Sequence, residues 1–218
     1  MAHERFLPSL AAAMTEVHEE GVEITTESFT KLIDQVVRVF DYLGTVLHFA
    51  KSDMLTKNES LKAVQGKHKL LIDVVQADKA AGCATVKDSC ARNLHRLVCV
   101  VTFMRVLLEK LAEGEGVSVK DAATAAYEAS LAPIHTYVVR TAVWAGMYVL
   151  PSRASFMEQI GETEASARDM ALRFLACSKE VERAVHHLFA GIDMPASTPS
   201  SNILSGLWGG GSTATAAT

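Results

Sequence analysis

The 218-residue sequence lacks the short motifs that identify the common classes of enzyme. It contains no GxSxG, no P-loop, no HExxH and no GxGxxG. Its eight histidines are scattered, and the adjacent His186 and His187 point to different sides of a helix, so they do not form one metal site. We therefore expect no enzymatic activity, no catalytic residue, no cofactor and no metal.

The sequence also has no closely spaced pair of cysteines, a small net charge and no apolar run long enough to span a membrane. The four cysteines include no CxxC, which favours buried free thiols in a reducing compartment over disulfides. The longest apolar runs, near residues 97–104 and 141–151, are shorter than the roughly 20 residues that a membrane span needs. A net charge of −4 argues against broad nucleic-acid binding. We predict a cytoplasmic protein that binds no nucleic acid.

Apolar residues make up 49% of the chain, and they recur at helical spacing along most of it. Because no strand alternation or hairpin turn interrupts this pattern, the sequence predicts an all-α fold. The predicted helices cover about residues 8–19, 26–57, a piece of 61–81, 88–111, 118–132, 134–150 and 164–189. Gly44 is tolerated inside the second helix at a cost of roughly 1 kcal/mol. N-terminal cap spacing is found at residues 85–88 and 118–121.

The composition changes near residue 195. Residues 1–194 form the predicted folded domain, whereas residues 195–218 are rich in Ser, Thr, Gly and Ala and are predicted to be disordered. The tail contains four apolar residues that either form a small docking motif or have no role: Ile203, Leu204, Leu207 and Trp208.

The predicted helix 88–111 combines a fully apolar stretch with two arginines. Arg92 and Arg96 are spaced i,i+4, and the same helical stripe continues through Cys99, Phe103 and Val106. Two like charges at this spacing cost about 0.2–0.5 kcal/mol. An anion bound at the end of the apolar stripe would offset that cost, so this stretch is the first candidate binding site.

Two further polar features lie next to apolar stripes. Asp53 and Lys57 are spaced i,i+4, downstream of Val46 and Phe49, and they form either a surface ion pair or part of a site. His135 follows Pro133 and is either a capping or core residue or a ligand contact. If the helices of residues 26–57 and 88–111 pack antiparallel, three cations and one carboxylate meet beside a hydrophobic interior.

These residues resemble the glycolipid transfer protein family, in its ceramide-1-phosphate-binding branch, which includes the plant accelerated-cell-death lipid transfer proteins. The likeness is carried by Asp-x-x-x-Lys at Asp53 and Lys57, by Arg-x-x-x-Arg at Arg92 and Arg96, and by His135. It spans roughly residues 5–192. The sugar-binding branch has a tryptophan in the helix of the arginines, and this chain has none between residues 85 and 112, so the resemblance favours phosphate over sugar.

The resemblance implies a two-layer sandwich of about eight helices that encloses a lipid pocket. It also implies a monomer that contacts membranes transiently and carries ceramide-1-phosphate, or a related phosphosphingolipid, between them. An alternative is a binding module that senses the phosphorylated sphingolipid and regulates a partner protein. A link to the restraint of programmed cell death follows from the resemblance alone.

The resemblance also assigns roles to individual residues. Lys57, Arg92 and Arg96 hold the phosphate, Asp53 accepts from the sphingoid amide and hydroxyl, and His135 donates to the acyl carbonyl. Tyr137 stands where relatives often have a membrane-contacting tryptophan, and Ile134 where many have a second histidine. The apolar stripes are candidate pocket lining as well as core, and they supply Phe49, Cys99 and Phe103.

The expected charges agree with such a ligand. Three cations and one carboxylate leave about +2, and a phosphomonoester carries about −1.5 to −2. A lipid with two chains loses on the order of 20 kcal/mol or more when it enters water, at roughly 0.8 kcal/mol per CH₂. A core that is rich in aliphatic residues and only 6% aromatic supplies the apolar pocket that offsets this loss.

Overall fold

The computed structural model describes residues 5–44 and 47–196 of the chain. These residues form an all-helical fold, which confirms the predicted class, with one isolated antiparallel bridge between Thr25 and Leu70. Ten α-helices follow one another, and a short 3-10 turn, Ala132–Ile134, precedes the eighth. The bounds are α1 Phe6–Glu19, α2 Thr26–Val36, α3 Val39–Tyr42, α4 His48–Lys62, α5 Leu71–Ala80, α6 Cys90–Glu113, α7 Val119–Ser130, α8 Tyr137–Met147, α9 Arg153–Ile160 and α10 Glu164–His187.

Helix α6 is the centre of the fold. It packs against α2, α4, α5, α7 and α10. Every residue from 97 to 101 is buried, which confirms that this helix is enclosed on all sides. Its N-cap is Ser89, whose side chain accepts from the backbone N–H of Arg92 at 3.3 Å. The predicted cap over residues 85–88 was therefore wrong, because Asp88 adopts a positive φ of 66° just before the helix. The cap predicted at Ser118 is confirmed.

The single helix predicted for residues 26–57 was wrong. The segment is divided into α2, α3 and the first part of α4, and Gly44 adopts a φ of 102° between α3 and α4. That backbone conformation belongs to glycine and does not occur within a helix. As a result, Asp53 and Lys57 lie inside α4 and not at the end of a long helix. Val46, on the predicted stripe upstream of them, lies outside the described residues.

Buried polar contacts fix α4 and α10 in their places. The buried Asn58 of α4 donates to the backbone oxygen of Thr30 at 3.0 Å and to Asp34 Oδ1 at 2.8 Å, which ties α4 to α2. The buried Glu182 of α10 accepts from Arg105 Nε of α6 at 2.8 Å. Burial raises the pKa of Glu182, and the Arg105 charge opposes that rise. These contacts set the position of α10 on α6, and thus the point at which the chain leaves α10.

Candidate functional site

The predicted arginine pair lies in the first two turns of α6. Arg96 is only 3% exposed, and its Nη1 donates to Nδ1 of His95 at 2.9 Å. Its Nε is buried and has no hydrogen-bond partner among residues 5–44 and 47–196. Burial lowers the pKa of Arg96, and the neighbouring Arg92 charge lowers it further. A guanidinium keeps its charge in proteins, so the structure holds a buried cation with an unused donor.

The other donors of the two arginines bind neutral oxygens of the backbone. Arg96 Nη2 donates to the carbonyl oxygen of Pro195, and Arg92 Nη2 donates to that of Ala196 at 3.1 Å. Arg92 Nη1 donates to the carbonyl oxygen of Thr85 at 3.3 Å. Among residues 5–44 and 47–196, neither arginine forms an ion pair with a carboxylate. The two positive charges are therefore hydrogen-bonded without being neutralised.

Asp53 and Lys57 form the ion pair that the sequence left as one interpretation. Lys57 Nζ donates to Asp53 Oδ1 at 2.5 Å, and both side chains are partly buried. The pair nevertheless lies within electrostatic range of the other predicted residues. The Asp53 charge acts to raise the pKa of Arg96, and the charges of Arg96, Asp53 and Lys57 all act on the pKa of His135. The fold thus brings together the groups that the sequence pattern selected.

His135 lies directly after the 3-10 turn and is partly buried. Burial lowers its pKa to about 4, and the Arg96 charge contributes to this, so the ring is neutral at pH 7. Its Nδ1 lies 3.1 Å from the hydroxyl oxygen of Tyr127, which comes from α7. Tyr127 is fully buried, and burial raises its pKa to about 12. Sequence reasoning missed Tyr127, because no local pattern couples it to a histidine eight residues later.

A small apolar cavity begins at these polar groups. Asp53, Tyr127 and His135 form part of its wall, and its volume is about 50 Å³, compared with about 30 Å³ for one water molecule in the liquid. The rest of the wall is Phe40, Leu47, Phe49, Ala50, Met54, Phe103, Leu131, Val139, Val143 and Met147.

The predicted lining residues divide into two groups. Phe49 and Phe103 line this cavity, and the ring of Phe103 stacks on Phe40 with centroids 6.2 Å apart. Cys99 is buried one turn away on α6 and is not among the described residues that line it. Like the other three cysteines it is a free thiol, and burial raises its pKa to about 11. Whether lipid chains occupy this space stays a prediction.

A second cavity, of about 180 Å³, lies at the far end of α6. It is bounded by residues of α1, α6, α9 and α10, among them Leu7, Leu111 and Phe156. No residue predicted from the sequence to bind the lipid lines it. It is therefore separate from the charged cluster.

The surface around α8 exposes apolar side chains beside cations. Tyr137 and Val138 are exposed at the start of the helix, and Tyr148 and Val149 are exposed just after its end. Lys120 Nζ lies 4.0 Å from the centroid of the Tyr148 ring. Within the described part of the chain, no helix is both long and apolar enough to cross a bilayer. The predicted position of Tyr137 at the surface is what a membrane contact requires.

Comparison with known proteins agrees with this arrangement. The family model described as glycolipid transfer protein matches residues 24–162. Accelerated cell death 11 of Arabidopsis thaliana is 32% identical over 153 residues, which cover 70% of this chain and 74% of that protein. The ceramide-1-phosphate transfer protein of Rattus norvegicus is 25% identical over 191 residues, which cover 79% and 88%.

The fold is similar to that of a solved relative. The crystal structure of a mutant of Arabidopsis accelerated-cell-death 11, complexed with C12 ceramide-1-phosphate, superimposes with a TM-score of 0.83 at 27% identity. The superposition covers 88% of this chain and 98% of that one. The matched family model covers more than half of this chain, including the Asp53, Lys57, Arg92, Arg96 and His135 positions. The chain belongs to the glycolipid transfer protein family.

Proposed function

We propose that the protein binds ceramide-1-phosphate and transfers it between membranes. The observation that carries this proposal is the buried Arg96, whose Nε has no partner and whose charge has no counter-ion in the described part of the chain. A phosphate supplies both a hydrogen-bond acceptor for Nε and a negative charge. The ceramide-1-phosphate in the relative's crystal structure, and the name of the rat relative, support the choice of ligand.

In this proposal the phosphate is held by Lys57, Arg92 and Arg96. The planar guanidinium forks suit bidentate binding of phosphate oxygens, and the lysine adds a point charge. The N-terminus of α6 contributes a favourable dipole because both arginines lie in its first two turns. Together with Asp53 the cluster carries about +2, which matches a phosphomonoester of about −1.5 to −2.

The amide region of the lipid is proposed to bind Asp53 and His135. When the phosphate engages Lys57, Asp53 can accept from the sphingoid amide and hydroxyl in place of the lysine. His135 donates to the acyl carbonyl through Nε2, because its Nδ1 is used by Tyr127. We assign the Tyr127 O–H as the donor, because this nitrogen is the partner of the buried hydroxyl among the described residues and the hydroxyl proton would otherwise be unpaired; the histidine proton then resides on Nε2.

The acyl and sphingoid chains are proposed to enter the cavity between α4, α6, α7 and α8. At about 50 Å³ the space is far too small for two chains, so these helices must separate when lipid enters. The wall is almost entirely apolar, and each buried CH₂ contributes roughly 0.8 kcal/mol. Tyr137 and Val138, exposed next to this cavity, make the transient membrane contact. No covalent bond changes, and the protein is a carrier.

Mass spectrometry and a transfer assay test the proposal. Native mass spectrometry of the purified protein should show a phosphorylated sphingolipid of one-to-one stoichiometry. Fluorescent ceramide-1-phosphate should move from donor to acceptor vesicles at least about tenfold faster than the same ceramide without phosphate, because each charge-assisted bond contributes about 1.5–3 kcal/mol. Equal transfer of both lipids, or a co-purifying glycolipid, would contradict the proposal.

Replacing Tyr127 by phenylalanine tests the orientation of His135. The variant keeps the ring but leaves Nδ1 without its donor, so we expect a mixture of tautomers and about a 5- to 10-fold slower transfer of ceramide-1-phosphate. Long-range ¹H–¹⁵N NMR of the histidine rings should show the proton of His135 on Nε2 in the parent and on both nitrogens in the variant. Tyr148→Phe, at an exposed position, serves as the control and should change neither result.

A further inference from the structure

The chain beyond α10 returns to the anion-binding arginines. Gly191 turns the backbone with a φ of 74°, and Ile192 and Met194 then pack against the core. Phe189, just upstream, packs edge-on against the ring of His95, with centroids 5.1 Å apart. These contacts place the two residues that follow, Pro195 and Ala196, over the start of α6. We call residues 194–196 the C-terminal segment.

We infer that the C-terminal segment occupies the phosphate donors of Arg92 and Arg96 in the unloaded protein and must leave before a lipid phosphate enters. The inference rests on the proposed function and adds a form of regulation to the same site. Its basis is geometric: one carbonyl of the segment accepts from Arg96 and the next accepts from Arg92. Two adjacent carbonyls therefore use one Nη donor of each arginine.

The segment is a weaker partner for the arginines than a phosphate is. A carbonyl is neutral, whereas a phosphate carries negative charge and can accept from both donors of a guanidinium fork, so it adds Coulomb attraction and a bidentate geometry that a single carbonyl does not supply. The contacts also leave Arg96 Nε unused. A phosphate monoester can thus displace the two carbonyls from the arginines. Water and weaker anions bind the arginines less strongly and do not displace the segment.

The sequence after the segment fits this role. Residues 197–218 contain no Asp, Glu, Lys or Arg, so they bring no charged side chain that could neutralise the arginines. The contacts come from the backbone, and they are independent of which side chains stand at positions 195 and 196. The C-terminal segment therefore covers the arginines without adding a charged side chain.

A chain that ends at Met194 and carries a C-terminal amide tests the inference, because a free α-carboxylate at Met194 would itself pair with the arginines. The change removes no described helix and no residue of the described hydrophobic core, so the fold should be retained. We expect phenylglyoxal to modify Arg92 about fivefold faster than in the full-length chain, as measured by peptide mass spectrometry. Arg173, an exposed arginine of α10, provides an internal reference whose rate should not change.

The shortened chain should also bind lipid more tightly. The apparent dissociation constant equals the intrinsic dissociation constant divided by the fraction of the protein that is open to ligand. If about one molecule in ten is open in the full-length protein, affinity for a short-chain, water-soluble ceramide-1-phosphate increases about tenfold on shortening. Isothermal titration calorimetry on both proteins measures this difference.

A variant of full length removes the dependence on truncation. Pro195→Gly together with Ala196→Gly makes the segment more costly to order, so affinity should rise about threefold. Pro199→Gly together with Ser200→Gly is the matched control, because it introduces the same residues outside the segment.

The outcomes separate the inference from the proposed function. Faster modification of Arg92 with tighter lipid binding supports both. Unchanged modification, or faster modification with unchanged lipid affinity, overturns the inference and leaves the proposed function standing. Faster modification with no binding of ceramide-1-phosphate by either protein contradicts the proposed function. The modification rates alone then support the contact of the C-terminal segment with the arginines.

Discussion

Replacing Arg96 by leucine is expected to abolish ceramide-1-phosphate transfer without loss of stability. Removing one member of a buried, hydrogen-bonded charge pair costs about 2–5 kcal/mol, so we expect at least about a 30-fold slower transfer of the fluorescent lipid between vesicles. The helical circular-dichroism signal should not change. Retention of more than about a tenth of the parent rate would remove Arg96 from the site.

The stability of the Arg96→Leu variant distinguishes a binding residue from a structural one. Arg96 is a buried cation beside Arg92, and its Nε has no partner among the residues that the structure describes. Leucine removes the burial of charge and the unused donor, so the free energy of unfolding in urea should be equal to that of the parent or higher. A residue kept for structure would give a large decrease.

Two further substitutions complete the test of Arg96. Arg96→Lys keeps the charge but loses the planar fork, so transfer should be intermediate between that of the parent and that of Arg96→Leu. Arg173→Leu removes an exposed arginine that pairs with Asp169, and it should leave transfer unchanged. Asp53→Val should also stop transfer, because it removes the proposed acceptor for the sphingoid amide.

Much of the site could be predicted because its key pairs are local. Arg92 with Arg96 and Asp53 with Lys57 are each spaced i,i+4, so one helical turn fixes their relation wherever the helices begin and end. This is why the cluster survives although the predicted helix of residues 26–57 is broken at Gly44. The cost of a glycine in a helix, roughly 1 kcal/mol, is too small to reveal such a break.

The features that could not be predicted depend on distant contacts. Tyr127 contacts His135 because α7 packs beside the turn that precedes the histidine. The residues next to Tyr127 in the sequence do not predict this contact. The contacts of Pro195 and Ala196 with the arginines use backbone oxygens, which every residue has. Neither a side-chain type nor a spacing marks them, and only the path of the chain after α10 places them there.

Replacing Val139 by phenylalanine is expected to block lipid entry while the fold stays intact. Val139 is 4% exposed and lines the cavity of about 50 Å³ beside His135. The larger ring fills space that the chains need, so we expect transfer to fall about 10- to 100-fold, since overpacking costs about 1–3 kcal/mol when lipid must also fit. The fluorescent vesicle assay measures this fall.

Without lipid, the Val139→Phe variant should be more stable than the parent protein. A ring that fills an existing void adds apolar contacts, and such substitutions commonly raise the free energy of unfolding by about 0.5–2 kcal/mol. Val22→Phe is the matched control, because that valine is 87% exposed between α1 and α2 and does not line the cavity. It should not slow transfer. If both variants transfer lipid at the parent rate, the chains do not enter between α4, α6 and α8. Slower transfer in Val139→Phe with unchanged or greater stability supports the entry of the lipid chains into the space that the phenylalanine occupies.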